Sequence, residues 1–341
     1  MANKLVYTSA PKGLMPGTFG FCTVAATRGM TKTVVDALEG LAGYRRVYET
    51  TDGASLNPVA FSHLLVDTPR GRLRVLARIA EAQPDYSGRT NHIASFLQLG
   101  DAEKPERGPA ELFYKPGLFE TQWPNGQAPI AYPSPVAIPM EEDARPLSCE
   151  YWSAVAGDPG WAGVLASTVE TRRPTFLVVH PTIDVLKLFQ EAVALLPANQ
   201  RWNATFATYY TNALKNVDSL WRGVVVDSPE EAQARATGGN LLLDFRALPS
   251  IESFQTNPTI GRWIEIAREP ISKLAPTFKT PLVPAPNPPT PPLRVSVPVP
   301  PPCATVVPGA AQVSVPDPAT PTPQKESTVA VPAMKTQRNS Q

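Results

Sequence analysis

The sequence is poor in the residues that build metal centres and disulfide frameworks, with three cysteines and three histidines in 341 residues. Cys22, Cys149 and Cys303 lie far apart, and no CxxC spacing joins any two of them. That pattern excludes a disulfide scaffold and a cysteine-built metal site. It predicts a reducing compartment, the cytoplasm. His63, His92 and His180 stand alone, without the His-x3-His or glutamate spacing that a zinc site needs. Each reads as a structural histidine.

Phosphate cradles and nucleophile elbows are missing as well. Thr27-Arg28-Gly29-Met30-Thr31-Lys32-Thr33 lacks the Gly-Lys-Ser/Thr step of a Walker loop. The chain is therefore not itself a P-loop GTPase or ATPase. No Gly-x-Gly-x-x-Gly follows a strand, and no Gly-x-Ser-x-Gly occurs. Neither a cofactor nor a catalytic set is expected. Charge is balanced, with 31 basic and 30 acidic residues interspersed, and basic runs stop at pairs such as Arg45-Arg46. No basic face for nucleic acid is predicted. The N-terminus lacks the apolar stretch of a signal peptide. Residues 295–316 are uncharged, but Pro298, Pro300, Pro301, Pro302, Pro308 and Pro316 break them. Each proline removes a backbone donor, so no membrane span is predicted there.

What the chain has in excess is proline. Eighteen of its forty prolines fall in the last 66 residues, where Phe278 is the one aromatic. Such a segment cannot bury enough apolar surface to offset its ordering entropy. Residues 276–341 are expected to be a disordered tail, with Pro-x-x-Pro spacings at Pro281–Pro284 and Pro289–Pro292.

The remainder, 43% hydrophobic overall, divides into two parts. Residues 1–145 read as an α+β domain. Strands are predicted at Leu5–Ser9 and Phe19–Ala25, then a helix from a Thr31 cap to Gly43. Ala60–Val66 and Leu73–Ile79 flank Pro69-Arg70-Gly71 as a hairpin, and Asn91–Leu99 is a further strand. Residues 100–146 read as mostly irregular. Residues 146–275 alternate helix and strand, which argues for an α/β domain. Helices are expected over Cys149–Ala156, Trp161–Val169, Ile183–Leu196 and Thr259–Leu274, and one more from Ser228 to Gly238-Gly239. Strands are expected over Thr175–His180, Trp202–Tyr210, Trp221–Asp227 and Leu241–Phe245.

The densest polar signal is Tyr7-Thr8-Ser9-Ala10-Pro11-Lys12-Gly13, a strand end that yields to a loop with hydroxyls and a lysine. Arg45, Asn91 and His92 are further polar residues beside predicted strands. Should these converge with Tyr7, Thr8, Ser9 and Lys12, they form a site for an anion or a peptide. Cys22 with His92 offers a thiolate–imidazole alternative, provided the fold joins them. In its apolar strand, though, Cys22 reads as a core residue.

These same stretches resemble a known family. Tyr7 to Leu14, Gly20 to Ala25, Leu38 to Arg45 and Arg89 to Ala94 are similar to the type-2 N-terminal domain of bacterial GTPase-associated proteins. Arg172-Arg173-Pro174, Leu195-Leu196-Pro197, Arg201 to Tyr209 and Trp221-Arg222-Gly223 resemble that family's middle domain. Ser95 stands where many members carry histidine, so no paired-histidine site is expected. The resemblance covers most of residues 4–245. It implies a non-catalytic adaptor or regulatory component that binds a separate GTPase through its folded domains. Arg45 then becomes a candidate trans arginine toward the partner's nucleotide. The alternatives are a cysteine-dependent hydrolase or transferase, or a ligand or peptide sensor on the Tyr7–Lys12 loop.

Overall fold

Strand-forming runs from both halves of the sequence join one mixed sheet. A computed structural model describes residues 1–48, 57–140, 148–211 and 216–269. The boundary at 145 and the tail from 276 lie outside the described residues. Among those described, eleven strands form the sheet, in the order β11-β7-β10-β8-β3-β4-β5-β1-β2-β6, with β9 beside β3.

The N-terminal half is α+β. β1 (Asn3–Ala10) pairs antiparallel with β2 (Gly20–Thr27) and with β5 (Asn91–Leu99). β3 (Ala60–Thr68) and β4 (Gly71–Ala82) form the expected hairpin, with β4 also against β5. Gly71 supplies the positive φ of 119° that the tight turn demands. β6 (Ile130–Tyr132) runs parallel to β2 at the edge. The helix α1 (Lys32–Glu39) leans its Leu38, Val34 and Val35 into the core over the sheet.

The C-terminal half is α/β. β7 (Thr175–Val179) is buried at every position, as a central parallel strand covered on both faces must be. It lies between β10 (Trp221–Val225) and β11 (Leu241–Asp244), parallel to both. Leu177 and Val179 face α3 (Gly160–Thr171) and α4 (Val185–Leu195). Phe176 and Val178 face Ala234 of α5 (Pro229–Ala236) instead. The caps follow the sequence: Ser228 accepts from Glu231 N at 3.2 Å, and Asp184 from Lys187 N at 3.1 Å. Cys149 gives no cap to α2 (Glu150–Ala156). Buried Glu191 of α4 replaces it, accepting from Tyr151 N at 3.0 Å and Trp152 N at 3.1 Å. Two helices come last among the described residues, α6 (Glu252–Gln255) and α7 (Pro258–Arg268). Gly163 lets α7 approach α3 closely, since a Cβ there would stand 2.1 Å from Trp263 O.

The halves meet where the two-residue β8 (Phe206–Ala207) pairs with β3, Ser62 opposite Ala207 and His63 opposite Phe206. β9 (Val217–Asp218) extends that seam. His63 is fully buried there. Its Nδ1 donates to Ala204 O at 2.8 Å, and its Nε2 accepts from Arg74 Nη1 at 2.8 Å. One imidazole thus satisfies groups from both halves, and burial pushes its pKa down to about 3.

Three expectations require correction. The first helix stops at Gly40, not Gly43, because the Gly40 N–H closes on Asp36 O and the chain then turns through Leu41 and Ala42 into the core. The strand expected over Trp202–Tyr210 shrinks to β8. Arg201–Asn203 is a 3₁₀ turn whose Trp202 indole donates to Pro105 O at 2.8 Å. The last helix spans Pro258–Arg268, not Thr259–Leu274. Asn257 caps it, accepting from Thr259 N at 3.0 Å; Leu274 lies outside the described residues. The irregular 100–146 stretch also holds a 3₁₀ turn, Ala110–Tyr114, besides β6.

Candidate functional site

The polar residues singled out in the sequence divide into three groups. Thr8, Ser9 and Asn91 meet where β1 and β5 lie side by side. Thr8 Oγ1 donates to His92 O at 2.7 Å, and Asn91 Oδ1 accepts from Ser9 N at 3.2 Å and His92 N at 2.8 Å. Ser9 Oγ donates to buried Asp85 at 2.8 Å. Burial would raise the Asp85 carboxyl, but donors from Ser87, Arg89 and Ser9 outweigh it and hold the pKa well below the usual range. These hydroxyls and the amide are thus engaged inside the protein. They are buried and fix the strand ends.

Arg45 is likewise occupied. Its guanidinium forms a two-pronged ion pair with buried Glu230 of α5, Nη1 to Oε1 at 2.9 Å. Its carbonyl accepts from Tyr209 OH at 2.9 Å. The neighbouring Arg46 pairs with Glu81. A carboxylate-locked arginine joins the halves; as it stands, it is not a free finger for a partner's nucleotide.

The third group is open. Tyr7, Phe21 and His92 form a row, with the Phe21 ring centroid 6.1 Å from Tyr7 and 4.5 Å from His92. Tyr44 closes the row, 6.1 Å from His92. Burial and the nearby Arg46 lower the His92 pKa, against a hydrogen bond with the Ala42 backbone, so the ring is neutral. Beyond Phe21, the β1–β2 loop projects into solvent. Lys12 is exposed, as are Met15 at 64%, Phe19 at 73% and Phe21 at 44%. The loop holds its shape through Gly13 N to Thr18 O at 2.8 Å and Leu14 N to Thr23 O at 2.8 Å. Gly13 leaves room for its neighbours: a Cβ there would lie 2.2 Å from Thr18 Oγ1 and 2.8 Å from Cys22 Sγ, so those side chains would have to shift.

Cys22 and His92 are not brought together. Cys22 lies opposite Thr8, and Thr8 opposite Ile93. His92, one residue away, therefore points to the other face of the sheet. Cys22 packs with Val6, Ala10, Val24 and Ile93 instead, and burial raises its thiol pKa despite the Thr18 hydroxyl. Sequence reasoning missed Met15, Phe19 and Phe21 as surface residues, although Met15 and Phe19, apolar inside a Gly- and Pro-rich turn, are themselves a signal.

Comparison with known families gives the geometry its context. The model of GTPase-associated protein 1, N-terminal domain type 2, matches residues 1–137, and that of its middle domain matches residues 149–247. The chain belongs to the GTPase-associated protein 1 family. None of the curated proteins compared with it matches. Within the family frame, the β1–β2 loop and the Tyr7–Phe21–His92 row lie in the type-2 N-terminal domain, and Glu230 lies in the middle domain. The α7 helix falls beyond both matches, yet it packs on α3 of the middle domain. No described helix is long and apolar enough to cross a membrane.

Proposed function

We propose that this member of the GTPase-associated protein 1 family is a regulatory adaptor that binds a separate GTPase through its β1–β2 loop. The observation that carries the reading is the exposure of Met15 and Phe19 on a loop pinned by its own backbone, with exposed Phe21 beside them at the start of β2. Free and bound loops then differ little, which keeps the entropic cost of docking low. Apolar anchors such as Phe19 would form the centre of the contact, with Lys12 at its charged rim. The family description supports the choice of a GTPase as the occupant.

Co-expression with candidate GTPases from the same genome tests the reading. The full chain is expected to co-purify with one of them in one nucleotide state. Phe19→Asp is expected to weaken the complex by roughly tenfold or more, while its melting temperature stays at the parent value. Failure to associate in both the GDP and the GTP-analogue state overturns the reading.

A further inference from the structure

A second feature lies away from the loop, over the seam between the halves. A row of residues crosses the sheet in register through Ala77, Ser62, Ala207 and Arg222. Partners in register point to the same face. Three small side chains leave room there, and Gly40, Leu41, Gly43, Tyr44 and Arg45 complete the lining. The result is a cavity of about 420 Å³, within the range of small-molecule sites. Tyr44, Tyr209 and Tyr210 line it beside Leu64 and Ile79.

Arg222 stands at one end of this cavity. Its guanidinium lies 5.1 Å from the ring centroid of Phe176 and 5.0 Å from that of Tyr210. Its Nε donates to Ser219 O at 2.9 Å, which fixes the plane. No carboxylate among the described residues pairs with it. The other cation at the cavity, Arg45, is neutralised by Glu230. An oriented guanidinium with its terminal N–H groups uncompensated fits the two oxygens of a phosphate. Tyrosine walls over an apolar floor fit a planar ring.

We infer that this cavity binds a 5′-mononucleotide, with the phosphate on the Arg222 fork and the base among Tyr44, Tyr209 and Tyr210. The site lies over the seam, lined from both halves, and shares Tyr44 with the row beside the docking loop but none of the exposed residues Met15, Phe19 and Phe21; it needs no partner protein. Arg222 orients the ligand by charge, and the tyrosines select for an aromatic body over bare phosphate.

Calorimetric titration of the full chain tests this, with guanosine and adenosine 5′-monophosphates, the two nucleosides, and inorganic phosphate as probes. At least one mononucleotide is expected to bind with a Kd of about 1 mM or tighter. Its nucleoside and inorganic phosphate are each expected to bind roughly tenfold more weakly or worse. Arg222→Gln is expected to weaken the mononucleotide by roughly tenfold or more. Ser62→Leu fills the cavity and is expected to abolish binding without lowering the melting temperature, which separates loss of site from loss of fold. The inference is overturned by silence from both mononucleotides at about 5 mM, by phosphate binding as tightly as the mononucleotide, or by affinity that survives both substitutions.

Discussion

Acidification is expected to weaken the seam between the two halves through a single imidazole. His63 is fully buried, its pKa held near 3 by burial, with the Arg74 charge adding to the shift. In the unfolded chain it returns to about 6.5. Between those values the unfolded chain binds a proton that the folded one refuses, so stability rises with pH across the window. The His63 contribution is therefore fully present above pH 6.5 and is lost as pH falls toward 3. Integrating the linkage relation from pH 7 to pH 5 gives a loss of about 1.9 kcal/mol, of which about 1.2 kcal/mol falls between pH 6 and pH 5. Carboxylates contribute little there, because their unfolded pKa values lie near 4. His92, also lowered by burial, acts in the same direction. The assay is urea unfolding of the parent and of His63→Gln at both pH values. The substitution removes one titration and leaves that of His92, so the parent should lose about 1.9 kcal/mol more than the variant on acidification. A difference under about 0.5 kcal/mol refutes the placement of a neutral histidine at the seam.

Other substitutions follow from single contacts. Gly163→Ala drives a Cβ into the Trp263 backbone and is expected to cost about 3 kcal/mol, read as a lowered urea midpoint. Glu191→Ala strips the N–H partners from the start of α2 and should cost about 1–3 kcal/mol in the same assay. Arg45→Ala leaves buried Glu230 without its cation. A loss of about 1–2 kcal/mol is expected, discounted because the guanidinium is partly solvated, with no separate effect on partner GTP hydrolysis.

Much of the scaffold was legible in the sequence because its signals were local. Thr175–Val179 reads as a buried parallel strand from its apolar run alone, and Ser228-Pro229-Glu230-Glu231 writes a helix start in cap, proline and acids. The Pro69-Arg70-Gly71 hairpin carries its own turn chemistry. What failed was set by distant partners. Trp202–Tyr210 alternates like a strand, but the Trp202 indole reaches Pro105, ninety-seven residues away, and the backbone turns to follow it. The α2 helix takes its cap from Glu191, which no local pattern announces.

The site was legible only in part for the same reason. Residue type identified Thr8, Ser9, Asn91 and Arg45 as polar. Whether a polar group faces solvent or another protein group depends on pairing: Asp85 takes Ser9, Glu230 takes Arg45, and Thr8 and Asn91 bond the backbone of the paired strands. The parity of the β1–β2–β5 register separates Cys22 from His92, a fact absent from either residue's neighbourhood in sequence. Arg222 gave no sign on its own. Only the in-register row through Ser62 and Ala207 shows it at a cavity, where among the described residues it has no carboxylate partner.

The most direct test of the adaptor reading is a titration of the purified full chain with candidate GTPases from the same genome, carried out in GDP and in a non-hydrolysable GTP analogue. The exposed β1–β2 loop predicts saturable binding in one of the two states, lost in Phe19→Asp and kept in an exposed-site control such as Arg70→Ala. Binding that is indifferent to Phe19, or none in either state, contradicts it.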